Sequence, residues 1–276
     1  MNKPSKTSAP AVPAAQVWLQ RIGTVGAGLT LTILGASILL RLTTVFTVAG
    51  DAVSTLPPAL EVATRLLHRL CASGVALLAL CAMLLCWTER RSASHLSLPI
   101  AWIVAATFIL ALIGPLTPGY RLAVITIVNV SVGMVLLMAF WWLRESAASD
   151  AATRQPVAAF SWAAISIFIA HVASGAAASA WQMLGVRWPV FVHLGSLVLC
   201  IILIGATVLE FHRARPLERL FGGVAAVLAL QLLLGYVLAW QETRPLWLSF
   251  SHALLSPVLA LALVSLVLRG ATRLKA

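Results

Sequence analysis

Three histidines and one asparagine recur inside apolar stretches at matching positions: His68, Asn129, His193 and His252. An ionisable side chain in hydrocarbon is costly and generally faces a bundle interior. One such histidine alone is most simply a hydrogen-bonded bundle residue. Four polar residues at one depth, on four helices of the same direction, shift that balance. Imidazoles from two facing helices can ligate a cofactor held between them, and imidazole is an ordinary axial ligand of heme iron. His193 and His252 are therefore read as the iron-ligand pair of a bound heme. Copper or zinc would want further ligands, and no carboxylate or cysteine stands at that depth on the two helices that carry the pair.

The elements that position these residues follow from composition. The chain is 61% hydrophobic and 10% charged, whereas a soluble domain carries roughly 25% charged residues. Eight apolar runs stand out, at about Val17–Leu42, Ala63–Trp87, Pro99–Leu116, Leu122–Leu143, Phe160–Met183, Pro189–Leu209, Leu220–Trp240 and Leu246–Leu268. Each approaches the roughly 20 residues needed to cross a bilayer, and backbone groups in lipid must bond within their own segment, so each run is a helix. The predicted fold class is all-α integral membrane, with eight transmembrane helices arranged as two pseudo-repeated four-helix bundles. The predicted segments are a disordered cytoplasmic tail (1–16), an N-terminal half (17–144), a cytoplasmic linker (145–159), a C-terminal half (160–268) and a second tail (269–276). The polar residues then lie about four to seven residues into the even-numbered helices, level within about one turn at 1.5 Å per residue.

Charge sets the orientation. With both termini in the cytoplasm, 13 Lys and Arg lie inside and 6 outside, the latter being Arg41, Arg65, Arg69, Arg121, Arg187 and Arg244. That bias follows the positive-inside rule, and Trp181, Trp188, Trp240 and Trp247 fall at outer helix ends where an aromatic belt belongs. The net charge of +11 is therefore assigned to short loops against lipid, and nucleic acid is excluded as a partner. Cys71, Cys81, Cys86 and Cys200 all lie within apolar runs and read as buried free thiols. The first 16 residues lack the apolar stretch of a cleavable signal. The expected location is a bacterial-type inner membrane.

An internal repeat is visible. Leu112-Ile113-Gly114 precedes Asn129 by fifteen residues, and Leu233-Leu234-Gly235 precedes His252 by seventeen. In each case the glycine is read as closing one helix, with the polar residue inside the next. His68 and His193 head the second and sixth helices in parallel fashion. The repeat is parallel rather than inverted.

These residues resemble the heme A synthase family, membrane proteins that convert heme O to heme A for cytochrome oxidase. The resemblance spans about residues 17–268 and is carried by Leu34-Gly35, Arg41-Leu42-Thr43, His68-Arg69-Leu70, Gln231-Leu232-Leu233-Leu234-Gly235, Pro245-Leu246-Trp247 and Ser251-His252-Ala253-Leu254-Leu255. It implies two four-helix halves, each with a histidine pair. By resemblance His193 and His252 hold heme b, and His68 belongs to the half where heme O reacts. The implied reaction oxidises one methyl group of heme O to a formyl group, with reducing equivalents from a membrane electron donor. Partners implied are heme O synthase and cytochrome oxidase assembly factors.

The chain departs from the family in its N-terminal half. Asn129 stands where the second histidine is expected, and Arg65 where a glutamate is expected, three residues before His68. Glu61 lies seven residues before His68, on about the same helix face and two turns away, and is carried with His68 as a candidate catalytic residue. Asn is a poor iron ligand, so heme there would be held by His68 alone, leaving an open face. Arg65 suits either a heme propionate or the headgroup region, and Arg69 is read as a propionate partner. His171, mid-helix and matching no family ligand, reads as a hydrogen-bonded bundle residue. His95 and His212 read as solvated. The sequence thus favours a heme A synthase-like oxidoreductase. The alternatives are a non-catalytic heme b-binding relative in oxidase assembly, heme handling or electron transfer, and a transporter.

Overall fold

A computed structural model describes residues 14–46, 52–89, 93–116, 123–148, 159–182, 188–211, 217–241 and 245–273. The protein is all-α, with helices α1 (Ala14–Leu42), α2 (Pro58–Thr88), α3 (Ser97–Ile113), α4 (Ala123–Ala147), α5 (Ala159–Gln182), α6 (Trp188–Phe211), α7 (Glu218–Trp240) and α8 (Leu246–Arg273). All eight are long and apolar enough to cross a membrane, and the chain is a multi-pass membrane protein.

Helix ends depart from the sequence reading where polar residues continue a helix. α2 starts at Pro58, five residues before the predicted Ala63. Proline at a helix start has its φ already set and loses no internal hydrogen bond. Glu61 then sits in the first turn, where a carboxylate complements the helix dipole. α1 starts at Ala14, so the last residues of the predicted 1–16 tail are helical, while residues 1–13 lie outside the described residues. α4 runs past Leu143 through Glu145 to Ala147, and α8 runs to Arg273. Both ends extend past the predicted halves, and their charged residues Glu145 and Arg269 pair across the two helices. Residues 149–158 of the predicted linker lie outside the described residues, as do Arg121, Arg187 and Arg244. The first loop is not wholly irregular, because Thr44–Phe46 and Ala52–Ser54 pair as two short antiparallel strands. Gly235 does not close α7, which continues to Trp240, whereas Gly114 does cap α3.

The packing order is a ring in the N-terminal half and an opened ring in the C-terminal half. α1 packs along α2 and α4, and α3 packs along α2 and α4. In the C-terminal half α5 packs along α6 and α7 along α8, but α5 meets α8 only lightly and α6 scarcely meets α7. The halves join through α4, which packs on α5 and α8, and through α1 against α8. Half of the most apolar stretch of α8 is buried inside the protein, against 11% of that of α7. α7 therefore leaves most of its surface uncovered by the other described residues.

Two features hold the centre. Gly23 and Gly26 let α1 approach α4 closely, since a Cβ at Gly26 would lie 2.3 Å from Phe140 Cδ1. At one end of the bundle, Glu145 of α4 is buried and accepts hydrogen bonds from Arg269 Nε (2.9 Å) and Nη2 (2.8 Å) of α8. Arg144 pairs with the same carboxylate, and Ser265 Oγ donates to it at 3.4 Å. Trp141 Nε1 donates to Ser265 Oγ at 2.6 Å. A buried carboxylate is tolerable only with such partners, and this one ties the two halves together.

Candidate functional site

At the opposite end of the helices the C-terminal half brings three histidines together. His193 enters five residues after the start of α6, and His252 six residues after the start of α8. α6 and α8 touch lightly in the opened half, and His171, His193 and His252 are within electrostatic reach of one another.

The His193 surroundings are built from a duplicated local motif. His171-Val172-Ala173-Ser174 on α5 faces His193-Leu194-Gly195-Ser196 on α6. Each serine hydroxyl donates back to the carbonyl of the histidine three residues before it, Ser174 to His171 at 2.7 Å and Ser196 to His193 at 2.9 Å. With its proton so used, each hydroxyl accepts from the opposite imidazole. His171 Nδ1 lies 2.9 Å from Ser196 Oγ, and His193 Nδ1 lies 3.1 Å from Ser174 Oγ and 3.2 Å from the His171 carbonyl. The two rings stack with centroids 4.2 Å apart and planes 10° from parallel. Gly175 completes the seat, because a Cβ there would lie 2.9 Å from His193 Cε1.

His252 has a simpler seat. Its Nδ1 lies 3.2 Å from the carbonyl oxygen of Gln231 on α7. The Gln231 side chain is buried and donates from Nε2 to Ser256 Oγ at 3.0 Å. Gly235, one turn along α7, leaves room for the ring, since a Cβ there would be 3.1 Å from His252 Cε1. Pro257 lies inside α8 and cannot donate to the carbonyl of Ala253, beside His252.

Both imidazoles thus direct an Nδ1–H to oxygen on the preceding helix, which leaves the ring lone pair on Nε2. Among the described residues neither Nε2 has a hydrogen-bond partner. This is the tautomer and orientation of a metal-ligating histidine, whose other nitrogen is held by an outer partner. No group of three or more His, Cys, Asp or Glu suited to a metal ion occurs among the described residues, so a bare ion would lack ligands.

The N-terminal residues are arranged differently. His68 on α2 and Asn129 on α4 are half-buried, and α2 and α4 are diagonal in a closed ring. Neither side chain is hydrogen-bonded among the described residues. Counted from its helix start, His68 lies ten residues in and Asn129 six, the difference coming from the early start of α2. Leu34 of α1 reaches toward Gly133, one turn beyond Asn129, where a Cβ would be 3.0 Å from its Cδ2. Glu61 and Arg65 are paired with each other, with Arg65 Nε 2.8 Å and Nη2 2.7 Å from Glu61 Oε1. Arg69 is exposed.

Sequence reasoning singled out the histidine pair but not Ser174, Ser196 or Gly175, and it gave Gln231 no role in seating His252. The signal was the His-x-x-Ser spacing on two successive helices, which puts both residues on one helix face. The predicted aromatic belt has a structural counterpart, since Trp188, Trp240 and Trp247 are exposed at this end and Trp181 packs on Trp188 with ring centroids 5.3 Å apart. All four cysteines are free. The chain is a multi-pass membrane protein with eight helices of spanning length among the described residues, and neither a protein-family model nor a curated protein matches it.

Proposed function

We propose that the C-terminal half binds heme b through His193 and His252, and that the protein is a heme A synthase-like oxidoreductase of the kind its sequence resembles. The observation that carries the heme assignment is the shared geometry of the two imidazoles: Nδ1 engaged on the preceding helix, Nε2 unengaged, a glycine beside each ring. The opened packing of α5–α8 supports it, because α5 meets α8 only lightly and α6 scarcely meets α7, which leaves the helices that carry the pair loosely joined. Bound there, heme b supplies one-electron chemistry. His193 and His252 orient it, and the surrounding apolar helices exclude water.

The oxidation of the heme O methyl group to a formyl group is assigned to the N-terminal half, with His68 as the residue beside the substrate. A second reading, a non-catalytic heme b-binding relative, is favoured by one observation. Glu61, the carboxylate available for that half, is engaged by Arg65 one turn away. Orientation with both termini in the cytoplasm of a bacterial-type cell membrane is supported by the 13-to-6 division of basic residues.

Purified protein is expected to show a low-spin, bis-histidine b-type spectrum, and either His193→Ala or His252→Ala is expected to remove it. A colourless wild-type protein made under ample heme supply would overturn the heme assignment. Co-expression with a heme O producer, followed by chromatography of extracted pigment, separates the two functions. Heme A in the extract sinks the non-catalytic reading, and its absence from a heme b-loaded sample sinks the synthase reading.

A further inference from the structure

The two imidazoles assigned to iron are held unequally. His193 is fixed on two sides, by the Ser174 hydroxyl and His171 carbonyl at Nδ1 and by the His171 ring against its face. Its holding helix, α5, packs on α4 and α6. His252 has one hydrogen bond, to the Gln231 carbonyl, and its holding helix α7 has α8 as its single substantial packing partner. An imidazole turns about its Cβ–Cγ bond in a broad, shallow torsional profile. A face-stacked partner and a shared Nδ1 bond restrict that rotation, whereas a single bond from a peripheral helix does so less.

We propose that His171, acting with Ser174 and Ser196, is a positioning residue that makes His193 the fixed ligand of the pair and His252 the exchangeable one, so that a small diatomic ligand reaches the iron from the His252 side. This rests on the heme assignment above. His171 does not touch the iron. It keeps His193 Nε2 aimed when the iron–nitrogen bond breaks, so that His193 rebinds while His252 can swing away. The reciprocal His-x-x-Ser pairing provides the means, because each serine couples the backbone of one helix to the imidazole of the other.

The test uses the full chain in detergent, loaded with heme, with carbon monoxide as the probe. His252→Ala is expected to retain close to wild-type heme, to become five-coordinate and high-spin, and to bind carbon monoxide fully when reduced. His193→Ala is expected to lose most of its heme. His171→Ala is expected to stay low-spin but to release heme to an apoprotein acceptor about 10- to 100-fold faster, the usual scale for removing an outer partner of a metal-bound histidine. His171→Phe, which keeps the stacked ring, and Ser174→Ala are expected to fall between, and Ser174→Thr is expected to restore the wild-type rate. Equal heme loss from His193→Ala and His252→Ala would overturn the proposal. So would an unchanged release rate in His171→Phe and Ser174→Ala, which retain most of the packing. Loss of the low-spin spectrum in His171→Ala, with folding confirmed by size exclusion, would make His171 itself a ligand and equally overturn it. If the wild-type chain takes up no heme at all, the heme assignment fails first, and a heme-loaded wild type with insensitive His171 variants fails this proposal alone.

Discussion

The His171 and His193 rings lie face to face, 4.2 Å between centroids, and a Cβ at Gly175, on the His171 helix, would lie 2.9 Å from His193 Cε1. A methyl group at Gly175 would have to displace His193, because 2.9 Å is inside carbon–carbon contact. Gly175→Ala is expected to destabilise the protein by about 1–3 kcal/mol, the usual cost of overpacking, and to lower heme occupancy measured by pyridine hemochrome assay. Gly235→Ala, with 3.1 Å at His252, should show the same effect more weakly.

Glu145 carries a different prediction, about the junction of the halves. Its carboxylate collects Arg269, Arg144 and Ser265. Glu145→Ala leaves Ser265 without its buried acceptor and takes the carboxylate away from both guanidinium groups. A loss of about 2–4 kcal/mol is expected, somewhat less than for a fully buried pair because Arg269 is partly exposed. Thermal unfolding in detergent, followed by tryptophan fluorescence, reads this directly. A midpoint unchanged within error would show that the cluster does not join α4 to α8.

Along α1, two nearby glycines should behave oppositely. Gly26→Ala meets the Phe140 ring and should cost about 1–3 kcal/mol. Gly28 has open space around its Cβ position, so Gly28→Ala should be neutral or stabilise by up to about 1 kcal/mol through helix propensity. Similar melting temperatures for the two variants would contradict the close α1–α4 approach.

Glu61 and Arg65 form an i,i+4 pair on an exposed turn. Such pairs are worth little, so Arg65→Ala should change stability by less than about 0.5 kcal/mol. It also releases Glu61. If the synthase reading holds with Glu61 as a participant, pigment extracts should show heme A change in Arg65→Ala and disappear in Glu61→Gln, with heme b retained in both. Heme A output indifferent to both substitutions removes Glu61 from the chemistry.

Much of this was legible from residue order. Apolar runs of bilayer length, with few charges between them, leave the backbone no option but helices, so the eight spans and the all-α class follow from composition alone. The depths of Asn129, His193 and His252 were readable because a helix converts residue count into distance. His68 was displaced in that count because Pro57 and Pro58 resemble a loop, whereas Pro58 starts a helix. Glu145 was read as linker because charge usually marks a surface, and its three partners are contributed in part by α8, more than a hundred residues away.

What the sequence by itself determined is the class of molecule and the residue types available for ligation, because hydrophobic length and helical period are local properties. What only the tertiary structure decided is the inequality of the halves and of the two histidine seats. Leu34 faces Gly133 in a closed ring, while His171, Ser174 and Ser196 surround His193 in an opened one. Which helix faces which is set by packing across the whole bundle, where a glycine admits a ring in one place and a phenylalanine in another. No periodicity along one helix contains that information, because each such contact belongs to two helices at once.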